Sequence, residues 1–480
     1  MLNSINYLNK HYNLNPQKII FEDLNQSYTI REFYNLVNQY SNNLTQYQNK
    51  NIGIIGFNSV NYAAADCGIS STNNILVPIP NFFNDEMISN LIKDSNIYLI
   101  FSDNENFERI KNLFKNTELF LDNEKNLFKK LIPQDHKRII YTSGTTRNPK
   151  GVVQTDKQMN IVIQNLLNVF NIQSFDKYFS ILPISTLLEQ ICATHITLQA
   201  NSKTIFNSSI SKNVFSLNDD QIQFILNSLP NLLCLAPHLL GQIIDCLEKK
   251  PNSLFNENIK AICVGGSKSP QILLDKGINQ LKLPIYEGYG LSEFCSVVAV
   301  NDKINSKIGT SGKILPNIKC EIVNDEIVLS GPTKMEGYFP NEDNNPKFYT
   351  GDIGSLNKEG FLTVYGRKDE VLILDNGRNI HPEYIKQLLK SKLDFKEIYI
   401  YQDQEQKLCF AFDLDNKSQI NKLIDIIQNI LPKYIQPKKI FVLEKEINKK
   451  IFLSANGKID LSKISKYFQS TNGAIQNAIL

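Results

Sequence analysis

Short apolar runs alternate along this chain with longer segments in which apolar and polar residues are mixed. Five of the runs have the composition and length of buried β-strands, and they occupy residues 52–55, 75–78, 98–101, 204–206 and 232–235. The longer segments between them have room for helices. This alternation predicts an α/β fold with buried sheets between helices.

A polar turn marks a change of pattern late in the chain. Residues 366–370, G-R-K-D-E, follow the strand-like segment 361–365 and precede the apolar segment 371–374. About 110 residues lie beyond this turn, enough for a small α+β domain. A chain of 480 residues exceeds one typical hydrophobic core, so we expect at least two domains.

Composition limits the classes of partner and compartment. Lys and Arg total 51 against 48 for Asp and Glu, so no large net charge favours nucleic acid or an anionic membrane. Eight cysteines without a C-x-x-C pair are typical of reduced thiols in a cytosolic protein. No apolar stretch is long enough for a transmembrane helix. We therefore expect a cytoplasmic protein, and peripheral membrane contact stays open.

The segment 141–151, Y-T-S-G-T-T-R-N-P-K-G, concentrates hydroxyl residues, glycines and a lysine in one loop. Hydroxyls, backbone N–H groups and the cation of Lys150 suit a triphosphate. The alternative is a solvated surface turn. The P-loop pattern is excluded because Lys150 precedes Gly151. The candidate phosphate-binding residues of the loop, together with Lys150, are Ser143, Gly144, Thr145 and Thr146.

This loop resembles the phosphate loop [ST]-S-G-[ST]-T-G-x-P-K-G of the adenylate-forming superfamily, which includes acyl-CoA synthetases, luciferases and peptide-synthetase adenylation domains. Arg147 stands where that family usually has glycine. Further motifs follow in the family's order, and they are V-G-G-S at 264–267, Y-G-L-S-E at 289–293, Y-T-G-D at 349–352 and G-K-I-D at 457–460. Each motif alone reads equally well as an ordinary turn, whereas their order favours the family.

The resemblance implies a role for each motif. Adenine would lie between a small-residue turn and an aromatic ring, the α-phosphate near a hydroxyl, and the ribose against a carboxylate and an arginine. The residues at these nucleotide-binding positions are Gly265, Gly266, Ser267, Tyr289, Gly290, Ser292, Asp352 and Arg367. Glu293 would hold Mg²⁺. Lys458 would stabilise charge as the substrate carboxylate attacks the α-phosphate, and Thr142 is grouped with Lys458 and Glu293 as catalytic.

The same resemblance implies the domain organisation and the reaction. A large N-terminal α/β domain of several subdomains, residues 1–366, would precede a small mobile C-terminal α+β domain, residues 367–480, with a hinge near Asp369. The reaction would use ATP, Mg²⁺ and CoA to convert a small-molecule carboxylic acid first to an acyl-adenylate and then to a thioester. Rotation about Asp369 would withdraw Lys458 and bring the Gly377 region towards the thiol.

The substrate is predicted from residues 182–190, L-P-I-S-T-L-L-E-Q, which resemble the long-chain acyl-CoA synthetase segment L-P-L-[AS]-H-x-x-E. Glu189 matches that segment, and Thr186 replaces its histidine. Pro183 stands where amino-acid-activating relatives carry aspartate, which disfavours an amino acid. An apolar acyl tunnel or ordinary core packing explains the nearby aliphatic residues Ile181, Ile184, Leu187 and Leu188.

We therefore expect a fatty-acid ligase that makes acyl-CoA from medium or long chains. One alternative is an acyl- or aryl-adenylate ligase that loads the phosphopantetheine of an acyl carrier protein. The other is a non-catalytic nucleotide-binding relative in which Arg147 and Thr186 mark lost activity.

Overall fold

A computed structural model describes most of the chain up to residue 368 and part of the remainder. The described residues are 3–24, 26–120, 131, 136–142, 149–213, 216–368, 372–373, 379–380, 382, 385–386, 389, 397–403, 407–413, 420–431, 435–443, 452 and 461–470. Several predicted functional residues lie outside this set, namely Ser143, Gly144, Thr145, Thr146, Arg147, Asp369, Gly377 and Lys458.

Apolar runs from the first third of the chain form the centre of a seven-stranded sheet. In spatial order its strands are Gly337–Tyr338, Lys150–Thr155, Lys137–Thr142, Ile75–Pro78, Asn51–Ile55, Ile97–Ser102 and Thr117–Leu119. The last five of these run parallel, and the first two pair antiparallel. Helices cover the parallel part, as expected for strands buried on both faces.

A nine-stranded sheet carries the later apolar runs. Its spatial order is Lys313–Ile314, Ala299–Val300, Ile285–Tyr289, Ala261–Val264, Leu232–Leu235, Lys177–Phe179, Lys203–Ile205, Ile19–Glu22 and Ser27–Thr29. The six strands from Ile285–Tyr289 to Ile19–Glu22 are parallel, and the edges are antiparallel. All five strands predicted from the apolar runs are confirmed within one or two residues.

Smaller sheets complete the described structure. A four-stranded antiparallel sheet contains Lys319–Val323, Glu326–Ser330, Lys347–Leu356 and Leu362–Arg367. The C-terminal part has a pair, Leu372–Ile373 with Asn379–Ile380, and a three-stranded sheet of Glu397–Gln402, Leu408–Asp413 and Lys439–Val442. The turn predicted at 366–370 is wrong at its first two residues, because Gly366 and Arg367 pair with Ile353 and Asp352 within a strand.

Helices of the N-terminal part begin at residues that suit a helix N-terminus. The side chains of Ser59, Asn84, Asp103 and Asn218 each accept a bond from a backbone N–H of the first turn. The helices of this part are Asn3–Leu14, Ile30–Asn43, Val60–Ser70, Asp85–Asp94, Asn104–Leu113, Asp156–Val169, Leu187–Glu189, Thr197–Ala200, Ser208–Lys212, Asp219–Asn227, Pro237–Lys249, Ser253–Asn258 and Gln271–Asp275. Later in the chain, the helices whose two ends are described are Ile420–Ile430 and Leu461–Ser470. Shorter π and 3₁₀ segments are Gln190–Ile196, Lys276–Gln280 and Ser292–Phe294.

The predicted fold class is confirmed: a large N-terminal α/β domain precedes a smaller C-terminal domain built on a sheet. Among the described residues, no helix has the length and apolarity needed to cross a membrane. Among the described residues, the members of the hydrophobic core that includes Phe410 and Ile427 all lie after residue 371. The boundary at residue 366 and the hinge at Asp369 remain predictions.

A fully buried polar cluster includes a residue of the strand Lys137–Thr142, which leads to the predicted phosphate loop. Arg138 on that strand is 0% exposed, and its Nη1 lies 3.2 Å from Oδ2 of Asp66 in helix Val60–Ser70. The same nitrogen donates to Oε1 of Gln190 at 2.6 Å. His195 Nε2 lies 3.4 Å from Asp66 Oδ1. The cluster joins the strand, the helix and the π-helical segment Gln190–Ile196.

Buried His136 makes stability depend on pH. Burial, and then the Arg138 guanidinium, lower the pKa of His136 to about 3, with Asp66 opposing and His195 adding to the shift. Between about pH 3 and pH 6.5 the unfolded chain binds a proton that the folded chain does not. Stability therefore falls as the pH drops below about 6.5, by on the order of 2 kcal/mol at pH 5.

The measurement is the thermal unfolding midpoint at pH 7 and pH 5 for wild type and His136→Gln. We expect the decrease between these pH values to be smaller in the variant. His238→Gln, which removes an exposed histidine, is the matched control and keeps the wild-type decrease. An unchanged decrease in His136→Gln contradicts this account.

Candidate functional site

Two adjacent strands place Asp352 and Arg367 side by side. The residues are register partners in the antiparallel strands Lys347–Leu356 and Leu362–Arg367, so their side chains are neighbours across the sheet. Arg367 Nη1 lies 3.4 Å from Asp352 Oδ1 and donates to the Thr350 carbonyl oxygen at 2.7 Å. The Tyr289 hydroxyl donates to Asp352 Oδ2 at 2.5 Å. Three predicted nucleotide-binding residues are thus brought together.

A carboxylate in this setting suits recognition of a diol. Asp352 is 14% exposed and Arg367 is 37% exposed, so the pair lies at a partly open surface. An ionised carboxylate is acceptor-only, and its two oxygens match the two hydroxyls of a diol. Burial, and then the Asp352 carboxylate, raise the pKa of Tyr289 well above its usual range, so its hydroxyl stays a donor.

A second group gathers Glu293, Tyr338 and Lys150. The Tyr338 hydroxyl donates to Glu293 Oε1 at 2.7 Å. The Lys150 ammonium lies 5.1 Å from the centroid of the Tyr338 ring, within range of a cation–π contact. Burial, and then Glu293, raise the pKa of Tyr338 above its usual range, while Arg367 opposes the shift. Arg367 opposes the shift of Tyr289 in the same way, so both groups lie within the field of one cation.

Backbone and amide bonds join the second group into one unit. The short strand Gly337–Tyr338 pairs only with Lys150–Thr155 among the described strands. The Met335 N–H donates to the Glu293 carbonyl oxygen at 2.8 Å. Gln154 Nε2 donates to the Ser292 carbonyl oxygen at 2.6 Å. The turn Ser292–Phe294 is therefore fixed to the strand that leaves the phosphate loop.

Two antiparallel strands that pair with each other flank the predicted phosphate loop. Thr142, the last residue of the strand Lys137–Thr142, is the register partner of Lys150, which begins the next strand. Both flank the segment with the hydroxyl residues and Gly144. Thr142 and Lys150 are therefore paired at the two ends of this segment, and the Lys150 ammonium contacts the Tyr338 ring.

The small-residue turn lies beside the strand that carries Tyr289. Val264 is paired with Glu287 in parallel strands, so Gly265, Gly266 and Ser267 follow directly at the carboxyl end of the sheet. Gly266 has φ of +83°, a left-handed conformation that favours glycine. Ser267 is exposed. The turn and Tyr289 thus open onto the same end of the sheet, where ligands bind in open α/β sheets.

Gly290 follows Tyr289 at a position where no side chain fits. A Cβ atom there would lie 1.5 Å from the Ser296 carbonyl oxygen. The close approach lets the chain reverse after the strand Ile285–Tyr289 and begin the turn Ser292–Phe294. Glycine is therefore required at this position for steric reasons, and the turn that follows brings Glu293 into contact with Tyr338.

The described side chains suit a magnesium ion that arrives with a nucleotide. They contain no group of three or more His, Cys, Asp or Glu able to hold a metal ion. Mg²⁺ in nucleotide sites is commonly held by one or two carboxylates together with phosphate oxygens. Glu293 supplies one half-buried carboxylate, which accepts a hydrogen bond from the tyrosine whose ring contacts Lys150. Its assignment as the magnesium ligand remains a prediction.

Residues 182–190 form part of the core. Glu189 is 0% exposed and accepts hydrogen bonds from Tyr178 and Ser180, at 2.8 and 2.6 Å. Burial raises the pKa of Glu189 well above its usual range. Thr186 Oγ1 donates to the Pro183 carbonyl oxygen. The aliphatic residues pack in hydrophobic clusters, and they are Ile181, Ile184, Leu187 and Leu188. These contacts support core packing.

Tyr338 and Gln154 were missed by the sequence analysis. Both act through contacts between segments far apart in sequence, since Tyr338 is 45 residues from Glu293 and Gln154 is 138 residues from Ser292. Tyr338 stands in the segment M-E-G-Y-F, after the strand Glu326–Ser330. In the sequence, the feature that could have indicated a role for Tyr338 was its position next to a glycine in a polar region.

Replacing Asp352 with asparagine tests its predicted ribose contact. We expect the KM for ATP to rise about tenfold to a hundredfold, because a hydrogen bond to a charged group contributes roughly 1.5–3 kcal/mol. Steady-state kinetics with ATP and 2′-deoxy-ATP is the measurement. Wild type prefers ATP, and Asp352→Asn loses most of that preference. A variant that keeps the full preference contradicts the assignment, and Asp85→Asn is a surface control.

Sequence comparison shows that this chain is similar to CoA ligases over most of its length. A 2-succinylbenzoate–CoA ligase of Lactococcus lactis is 26% identical over 470 residues, covering 94% of this chain and 98% of the relative. A 2-succinylbenzoate–CoA ligase of Listeria monocytogenes is 27% identical over 343 residues, covering 68% of this chain and 69% of the relative.

Solved structures share the fold across the whole chain. The o-succinylbenzoate coenzyme A synthetase of Bacillus subtilis in complex with AMP gives a TM-score of 0.81 at 20% identity, over 99% of both chains. ATP-bound MatB of Rhodopseudomonas palustris gives 0.83 at 15% identity, over 98% of this chain and 100% of that chain.

The family itself follows from the sequence match. The model of the AMP-binding enzyme family matches residues 8–339, well over half of the chain, and includes Thr142, Tyr289 and Glu293. The predictions of an adenylate-forming superfamily and of an enzyme are confirmed. This chain belongs to the AMP-binding enzyme family.

Proposed function

We propose that this enzyme joins an aromatic carboxylic acid of the 2-succinylbenzoate type to CoA, through an acyl-adenylate. The observation that carries the proposal is the match to a 2-succinylbenzoate–CoA ligase over 94% of this chain and 98% of the relative. The fatty-acid expectation, and with it a place in fatty-acid metabolism, loses its support. The relatives compared are named for an aryl acid, and Glu189 is a buried core residue.

The reaction has two steps, and it uses ATP, Mg²⁺ and CoA. A carboxylate oxygen of the acid attacks the α-phosphorus of ATP, and pyrophosphate leaves. The CoA sulfur then attacks the acyl carbonyl carbon, AMP leaves, and the thiol proton passes to solvent. Both steps bring anionic groups together, so cations must offset the developing charge.

The residues described above supply binding and orientation. Asp352 and Arg367 hold the ribose, Tyr289 and the turn at Gly265 face the adenine, and Lys150 meets the phosphates. A magnesium ion, when bound, neutralises phosphate charge, and Glu293 is the carboxylate placed to hold it. Lys458, outside the described residues, would stabilise the charge that develops in the first step. Rotation about Asp369 would then withdraw Lys458 and bring the Gly377 region towards the thiol for the second step.

Product analysis tests the proposal. Wild-type protein with ATP and Mg²⁺ is given 2-succinylbenzoate, anthranilate or a panel of fatty acids, each with and without CoA, and the products are identified by mass spectrometry. We expect AMP and 2-succinylbenzoyl-CoA, with a higher kcat/KM than for any fatty acid. Fatty acyl-CoA as the better product would restore the fatty-acid expectation. An adenylate that ignores CoA would point to a carrier protein, and ATP binding without any product would point to a non-catalytic relative.

A further inference from the structure

Tyr338 touches both charged side chains on the phosphate side of the site. Its hydroxyl donates to Glu293 Oε1 at 2.7 Å, and its ring lies beneath the Lys150 ammonium at 5.1 Å. These three residues come from three separate segments of the chain. No other described residue makes a hydrogen bond to one of these two charged side chains and a cation–π contact with the other.

We propose that Tyr338 is a positioning residue that holds Glu293 and Lys150 in place for a magnesium–ATP complex. The proposal rests on the proposed function and extends it, because it names the residue that couples the metal carboxylate to the loop lysine. Tyr338 itself contacts neither phosphate nor metal in this account.

The physical reason is the flexibility of the two charged side chains. Fixing a glutamate or lysine side chain costs about 1.5–2 kcal/mol of rotamer entropy, and this cost opposes ligand binding unless the side chain is already held in place before the ligand binds. The bond from Tyr338 fixes one oxygen of Glu293 and leaves the other oxygen available to a cation. The ring limits the positions of the Lys150 ammonium, which is otherwise exposed.

The backbone around Tyr338 is suited to this role. Tyr338 is paired with Val152, two residues after Lys150, and the Phe339 N–H donates to the Gly151 carbonyl oxygen at 2.7 Å. The Met335 N–H donates to the Glu293 carbonyl oxygen at 2.8 Å. Backbone hydrogen bonds thus tie the residues around Tyr338 to Gly151, next to Lys150, and to Glu293 itself.

Calorimetric measurement of ATP binding, in Mg²⁺ and in EDTA, tests the proposal without any acid substrate. The ratio of the Kd in EDTA to the Kd in Mg²⁺ measures how strongly Mg²⁺ binding and ATP binding are coupled. Tyr338→Phe removes the hydroxyl and keeps the ring. We expect the ratio to fall about tenfold, since a hydrogen bond to a charged group is lost. The Kd in EDTA should stay within about twofold of wild type, a margin well below one such hydrogen bond.

Two further variants separate positioning from general damage. Tyr338→Leu also removes the ring, and we expect its Kd for ATP in EDTA to rise about two- to fivefold as the cation–π contact is lost. Tyr34→Phe is the matched control, because its hydroxyl donates to Asn9 Oδ1 at 3.1 Å on the N-terminal helices. It should keep the wild-type ratio.

The outcomes distinguish this inference from the proposed function. An unchanged ratio in Tyr338→Phe overturns the inference, as does a wild-type protein whose ATP binding ignores Mg²⁺. An equal loss of binding in Mg²⁺ and EDTA also overturns it, because that result indicates a purely structural role. None of these readings depends on which acid the enzyme accepts, so a wrong substrate leaves them interpretable.

Discussion

Glu293→Gln lowers the rate of acyl-adenylate formation by about 10²- to 10³-fold, the range found when a group that stabilises transition-state charge is removed. The substitution keeps the size of the side chain, and the amide oxygen still accepts the bond from Tyr338. What is lost is the negative charge that the account assigns to Mg²⁺. The defect should lie mainly in kcat, with a higher Mg²⁺ requirement and an unchanged thermal unfolding midpoint.

The measurement is single-turnover release of pyrophosphate across a range of Mg²⁺ concentrations. Glu321→Gln is the matched control, because Glu321 is an exposed carboxylate paired with Lys347 on the four-stranded sheet. It should behave as wild type. A Glu293→Gln rate within threefold of wild type, well short of the expected loss, would remove Glu293 from the metal site.

Asp66→Asn destabilises the large domain by about 3–5 kcal/mol, because it leaves the Arg138 guanidinium buried without its carboxylate. Arg138 and Asp66 are 0% and 1% exposed, and Gln190 offers only a neutral oxygen. Burial opposes the charge on Asp66, but Arg138 and then His195 overcome it and lower the pKa of this carboxyl well below its usual range. The stabilisation is therefore present above the pKa of an unfolded aspartate and is lost as the pH falls below it.

Urea unfolding followed by tyrosine fluorescence measures this effect in a chain without tryptophan. Asp85→Asn breaks the exposed pair with Arg109 and should cost at most about 1 kcal/mol. The double variant Asp66→Asn with Arg138→Met should be more stable than the sum of the single losses predicts, since it no longer buries a lone charge. Equal losses from Asp66→Asn and Asp85→Asn would contradict the structural role of the cluster.

The sequence predicted the parts of this fold that depend on local pattern. Apolar runs such as Leu232–Leu235 became parallel strands, because a strand buried on both faces needs apolar side chains at every position. The motifs also grouped Tyr289 and Asp352 in one predicted site, and the structure brings these residues into contact although 63 residues separate them. Ligand-binding motifs combine glycines, hydroxyl residues and charged residues at fixed spacing. Such spacing can be recognised in a single sequence.

Other features depend on contacts that no local pattern encodes. Tyr338 acquires its partners only through pairing of its strand with Lys150–Thr155. Arg138 reads as an ordinary polar residue at a strand edge, yet it is fully buried, and two other segments supply its polar neighbours Asp66 and Gln190. The fatty-acid expectation lost its support for a related reason, since aliphatic residues such as Ile184 give the same sequence pattern whether they pack in a core or line a tunnel.

Transfer of oxygen from the acid to AMP tests the central claim, formation of an acyl-adenylate, most directly. The enzyme is given ATP, Mg²⁺, CoA and 2-succinylbenzoate labelled with ¹⁸O in its carboxylates, and the AMP is analysed by mass spectrometry. The account predicts AMP that carries one ¹⁸O atom, because the carboxylate oxygen bonded to the α-phosphorus stays with AMP when CoA attacks. Unlabelled AMP, or label in inorganic phosphate, would contradict it.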